Sequence, residues 1–174
     1  MSEMLGEIYC FFFEGLFGQY LAEYLWGYNC QTEVYDGQNL FNLIGVVTIS
    51  ITLIFALAYY YLPLYLFNHP RSNRWWNWLI ILLVSSTINF FIAAIWIRND
   101  FLDGNIGDCL MYTRDEAEEI VAQLINKSDI WMFGLTNFFF SAGVFFIVSI
   151  GVLIIGSRIS KCGSANCRYT PFKI

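Results

Sequence analysis

Charge is what this chain of 174 residues lacks. Asp, Glu, Lys and Arg make up 13% of it, about half the usual share for soluble domains. That scarcity, with a net charge of −5, argues against a disordered chain and against a nucleic-acid-binding one. No Lys or Arg occurs before Arg71, and no ionisable side chain occurs in residues 77–97 or 130–157. A proton-coupled carrier needs an acid or a histidine inside the membrane, so that class is disfavoured. Histidine occurs once, as His69, beside Pro70 and close to two arginines. One histidine in a basic loop supports neither a Ser-His-Asp nor a Cys-His arrangement, so no enzyme and no cofactor is expected. The N-terminus has no basic region and no A-x-A-like end, so it does not read as a signal peptide.

What fills the sequence instead is apolar: 57% of residues are hydrophobic and 20% are aromatic. The clearest run, NWLIILLVSSTINFFIAAIW from Asn77 to Trp96, holds no charge. At about 1.5 Å per residue a helix of this length spans a hydrocarbon core of roughly 30 Å. Arg71, Arg74, Trp75 and Trp76 precede it, Trp78 is its second residue, and Arg98, Asn99 and Asp100 follow. Tryptophan favours the headgroup zone and charge ends a span. Two further runs, 40–67 and 130–157, have the same character. Pro63 predicts a kink or an end to the straight part of the first. The fold class expected is an all-α integral membrane protein with three transmembrane helices at 40–67, 77–97 and 130–157, forming one membrane domain over 1–174.

Two more helices are expected. Residues 2–28 are apolar but interrupted by Glu and Gly. Helical periodicity places Glu3, Glu7 and Glu14 on one stripe, which reads as an amphipathic helix in the interface, as a helix packed in an oligomer, or as a fourth span. In the polar loop 100–129, Thr113 with Glu116 makes a capping box. Ala117, Ile120, Val121, Leu124 and Ile125 then recur at helical spacing, predicting a surface helix over 113–127. The basic segments, residues 67–76 and the tail 158–174, fall on one side of a three-span chain, and the acidic ones fall on the other. The positive-inside rule then places the N-terminus outside and the C-terminus in the cytoplasm.

Candidate sites follow from what is costly in lipid. Asn89 and Asn137 require a partner helix or water, and Ser141 lies one turn beyond Asn137. They either bond between helices or line a polar path. Cys30 and Cys109 both fall in expected external segments, where an oxidising compartment permits a disulfide. Cys162 and Cys167 lack a second ligand pair, so no metal site is expected. The glycosylation triplet Asn126-Lys127-Ser128 lies close to a span, where access is poor, and DGNIGD lacks the oxygen spacing of a calcium loop. Arg71, Arg74, Arg158, Lys161 and Arg168 offer charge to lipid headgroups or to an anionic cytoplasmic partner such as a nucleotide.

The tail SKCGSANCRYTPF, Ser160 to Phe172, with the segment HPRSNRWWNW, resembles small bacterial inner-membrane proteins. The overall plan resembles the small multi-span effectors of bacterial antiphage systems, which oligomerise and permeabilise or depolarise the inner membrane when a nucleotide-linked partner releases or activates them. The resemblance covers size and architecture and carries no site residue across. Three helices cannot enclose a path, so a homo-oligomer is expected. The leading expectation is a cation-conducting channel, with acidic rings from Glu3, Glu7 and Glu14 and a path lined or supported by Asn89, Asn137 and Ser141. The alternative is a non-catalytic structural subunit of a larger membrane complex.

Overall fold

A computed structural model describes residues 4–66, 75–114 and 120–158. The elements in chain order are α1 (Met4–Phe17), α2 (Gln19–Trp26), α3 (Leu40–Leu66), α4 (Trp75–Leu102), α5 (Asp108–Met111), β1 (Tyr112–Arg114), β2 (Ile120–Gln123) and α6 (Lys127–Arg158). Among the described residues three helices are long and apolar enough to cross a membrane, over Leu40–Tyr60, Trp76–Leu102 and Lys127–Val152. The chain is therefore a helical protein of membrane character. α3 continues through Pro63 to Leu66.

The residues fall into two compact units. The first comprises residues 1–47 and 90–137, and the second comprises 48–89 and 138–174. The first is built on aromatics packed in tilted and edge-to-face pairs. Phe41 at the start of α3 receives the rings of Tyr9, Phe17, Trp26 and Phe133 at centroid distances of 5.6, 6.1, 5.5 and 6.2 Å. Each such pair is worth about 0.5–1.5 kcal/mol beyond the area it buries. Glycines allow the close approaches. A side chain at Gly134 of α6 would meet Ala94 and the Phe90 carbonyl of α4, and one at Gly45 of α3 would meet Leu5 of α1. In the second unit Ala56, Tyr59 and Tyr60 of α3 pack with Trp78 of α4 and Phe145 of α6.

The N-terminal segment departs from the single helix expected over 2–28. It breaks at Gly18, whose φ of +84° suits glycine, and α2 folds back until the Trp26 ring lies where a Gly6 side chain would be. With 14 residues, α1 is about 21 Å long, too short to span a core of roughly 30 Å. One face of the hairpin is buried through Tyr9, Phe17, Leu21 and Leu25, while Phe11 and Phe12 are 82% and 66% exposed. Apolar groups thus occupy both faces, which is not the pattern of a water-facing amphipathic helix.

The surface helix expected over 113–127 is also replaced. β1 and β2 pair antiparallel, Tyr112 opposite Gln123 and Thr113 opposite Ala122, and residues 115–119 lie outside the description. The chain is tied at the base of this hairpin. Leu124 N–H donates to the Met111 carbonyl at 2.9 Å, and Ile125 is buried. A capping box stabilises a helix start, but the apolar face it would begin has nothing to cover it, since Ile120 and Val121 are 60% and 64% exposed. Tertiary tethering and β-branched residues decide against the helix.

Two glycines near the break should respond oppositely to alanine. Neither Gly15 nor Gly18 has a neighbour within reach of an added methyl, so the backbone alone decides. Gly15→Ala, inside α1, should raise stability by about 0.5–1 kcal/mol. Gly18→Ala should lower it by about 1 kcal/mol or more. Unfolding midpoints in detergent check the pair.

Candidate functional site

Sequence patterning puts Thr52, Asn89 and Ser141 inside apolar helices, and in the second unit they meet. Asn89 Nδ2 donates to Ser141 Oγ at 2.9 Å, to Thr52 Oγ1 at 3.1 Å and to the Ser85 carbonyl at 3.1 Å. Thr52 Oγ1 and Ser141 Oγ are 2.8 Å apart. The Thr52 hydroxyl donates to the Thr48 carbonyl at 2.7 Å, which leaves Ser141 as the donor in the Thr52–Ser141 pair. All three side chains have no exposed surface. A second joint lies nearby in the same unit, where Trp78 Nε1 donates to Ser149 Oγ at 3.1 Å.

Asn137 belongs to the first unit. The Tyr9 hydroxyl donates to its Oδ1 at 2.7 Å, and its Nδ2 donates to the Phe133 carbonyl at 3.0 Å. It too is fully buried. Asn89, Asn137 and Ser141, expected to line or support a path, therefore offer no surface outside the protein in this conformation. Asn89 Nδ2, Ser141 Oγ and Asn137 Oδ1 are joints between helices, whereas Asn89 Oδ1 is buried without a hydrogen-bond partner among the described residues. Glu7 is exposed and Glu14 half-buried on α1. Glu3, Arg71, Arg74, Lys161 and Arg168 lie outside the described residues, as does the side chain of Arg158.

Cys30 and Cys109 are joined in a disulfide, with Cα atoms 6.0 Å apart. It ties the connector after α2 to the start of α5. The connector is folded on itself. Gly37 N–H donates to the Gly27 carbonyl at 2.9 Å, and Asn29 N–H donates to the Val34 carbonyl at 3.0 Å. Both half-cystines stand in the wall of a cleft of about 900 Å³ within the first unit.

The cleft is aromatic and acidic. Tyr24, Tyr28 and Trp96 line it together with Asp100 and Asp108, and among the described residues no Lys or Arg does. Burial, and then the negative charge of the Asp100 carboxylate beside it, push the Tyr24 phenol well above its ordinary range. Asn105 Nδ2 approaches Asp100 Oδ1 at 3.4 Å, and Asn105 N–H donates to the Asp100 carbonyl at 3.0 Å. The acidic residues of this loop were legible; their meeting with Tyr24 and Tyr28 from a distant segment was not.

The chain matches no protein-family model, no curated protein and no solved structure. Its function rests on the geometry above.

The joint in the second unit should show coupling. Thr52→Val and Ser141→Ala should each destabilise by about 0.5–1.5 kcal/mol, the range for hydrogen bonds between membrane helices. The double variant should lose measurably less than their sum. Denaturant unfolding in mixed micelles measures the cycle.

Proposed function

We propose that this protein is a non-catalytic structural subunit of a larger membrane assembly, held in the bilayer by α3, α4 and α6. The observation that carries this reading is how its polar groups are used. Asn89, Asn137, Thr52 and Ser141 are fully buried and hydrogen-bonded to other buried groups, with Asn89 Oδ1 alone of their polar atoms lacking a partner among the described residues, while Leu53, Ile54, Leu83, Val84, Phe139 and Ile147 are exposed. A surface of this kind meets lipid or another apolar helix, and it offers no water path. The disulfide supports an orientation with the connector and the loop after α4 on the oxidising side of a bacterial inner membrane, in line with the positive-inside expectation.

One observation favours a second reading, the homo-oligomeric cation pore. Glu7 is exposed on a helix that otherwise exposes Phe11 and Phe12. A carboxylate at such depth calls for water or a partner, which a ring of α1 helices around a wet axis would supply. A cytoplasmic anionic partner at Arg71, Arg74, Arg158, Lys161 and Arg168, of the kind that antiphage effectors answer to, belongs to this reading.

Three measurements test these assignments. Purified protein in planar bilayers should be electrically silent, while crosslinking in native membranes should trap it with a different membrane protein. A cation current that Glu7→Gln or Glu14→Gln abolishes would instead establish the pore. For orientation, a membrane-impermeant maleimide on intact cells should label Cys30 and Cys109 only after an impermeant reductant. Cys10 should react slowly, since burial raises its thiol above the ordinary range, against a smaller lowering by Trp26 and a still smaller raising by Glu14. Labelling of the pair that needs permeabilised cells would reverse the topology.

A further inference from the structure

The joint at Asn89 is incomplete. Asn89 Nδ2 reaches Thr52 of α3, Ser141 of α6 and the Ser85 carbonyl. A carbonyl only accepts, so the contact with Ser85 fixes which end of the amide is the nitrogen. Asn89 Oδ1 is left out of these contacts and has no hydrogen-bond partner among the described residues, and the same holds for Ser85 Oγ and Ser86 Oγ. None of the three side chains has exposed surface. Ser85 and Ser86 stand one turn before Asn89, on the part of α4 that the Asn89 side chain leans over. This turn lies in the middle of the charge-free residues 77–97. The two serines also depart from how other hydroxyls in these helices are used. Thr52, Thr136 and Ser149 each donate to the carbonyl four residues back, at 2.7, 3.1 and 2.8 Å, the ordinary outlet for a hydroxyl in an apolar helix. Ser85 and Ser86 have the same outlet and do not take it. A buried hydroxyl that forgoes its own helix is directed at another partner.

The chemistry of the three atoms selects that partner. It must donate, because Asn89 Oδ1 only accepts, and it must also exchange hydrogen bonds with two hydroxyls. A simple anion offers no donor. An alkali cation would take lone pairs from all three oxygens, but no Asp or Glu occurs in residues 40–97 or 130–157 to balance its charge, and an uncompensated ion at this depth is costly. Water carries two donors and two acceptors, and about three polar partners are what an internal water has. We propose that Ser85, Ser86 and Asn89 bind an internal water molecule at mid-membrane, which donates to Asn89 Oδ1 and links it to both hydroxyls. The site is closed to the surface, so this water belongs to the packing of the helices and forms no path. It extends the Thr52–Asn89–Ser141 joint along α4 by one further turn.

Magnetisation transfer from water, measured by NMR on the full perdeuterated chain in nanodiscs, tests the site without a variant. Transfer should reach the Asn89 side-chain amide and the Ser85 and Ser86 backbone amides. The Asn137 side-chain amide is the internal control. It is equally buried, with the Tyr9 hydroxyl on its Oδ1 and the Phe133 carbonyl on its Nδ2, and it should receive none. Transfer relayed by an exchanging serine hydroxyl counts equally, since that also needs water at the site. Unfolding in mixed micelles gives an independent reading. Ser85→Ala and Ser86→Ala should each shift the equilibrium toward the unfolded state by about threefold to tenfold, the scale of one net hydrogen bond, and the double variant by less than the product. Dry, unpartnered hydroxyls predict the opposite sign, because alanine removes a buried polar atom and is the better helix former. Exchanging sodium or potassium for N-methylglucamine in the buffer should leave the unfolding midpoint unchanged. No transfer to Asn89 beyond that to Asn137, or serine-to-alanine variants that stabilise, overturns the proposal. A midpoint raised by one alkali ion overturns it as well, in favour of a bound cation.

Discussion

A polar atom buried away from water must find its partner inside the protein, because hydrocarbon offers none. The arrangement of this chain follows from that constraint. Helices α3, α4 and α6 satisfy their own backbones, and several buried polar side chains are gathered into joints, while Ser85 Oγ, Ser86 Oγ and Asn89 Oδ1 are buried without a hydrogen-bond partner among the described residues. Asn89 serves two hydroxyls and a carbonyl. Asn137 takes a phenol from α1 and gives its amide to the preceding turn of α6. Each joint is modest in energy, since an alternative partner exists for a helix in lipid, but it is directional where aliphatic packing is not. It sets which faces of the helices meet within a unit.

The same constraint explains what was readable. Long charge-free runs announce spans, and α3, α4 and α6 lie close to the ranges read from composition. Asn89 and Asn137 stood out as costly residues. The identity of the partners was hidden. Tyr9 reaches Asn137 across 128 positions of sequence, and nothing about a tyrosine in an apolar helix marks it as the donor. The break at Gly18 had a weak signal, two glycines close together in an otherwise continuous apolar segment. That signal competed with a carboxylate stripe that favoured an unbroken helix.

The β-hairpin shows propensity losing to tethering. Thr113, Glu116 and the spacing from Ala117 to Ile125 agree with a helix, but Met111 and Leu124 are bonded to one another. Once the two ends of a segment are joined, its limbs run antiparallel. The cleft was invisible for a related reason. Its rings and carboxylates come from residues 24–43 and 96–109, and each stretch alone reads as a helix end with a polar connector. Only the Cys30–Cys109 pairing, accessible from topology, indicated that these stretches belong together.

That pairing has a topological meaning. Backbone and disulfide together close a covalent ring over residues 30–109, and α3 and α4 are both inside it. A single backbone cut anywhere in the ring, including the basic stretch between these helices, leaves one connected molecule. The ring also orders biogenesis. In the proposed three-span arrangement, its closure requires both cysteines to reach the same side, so the bond would form only after the second of the two helices had been threaded through the bilayer, and a closed ring would record that both insertions were completed.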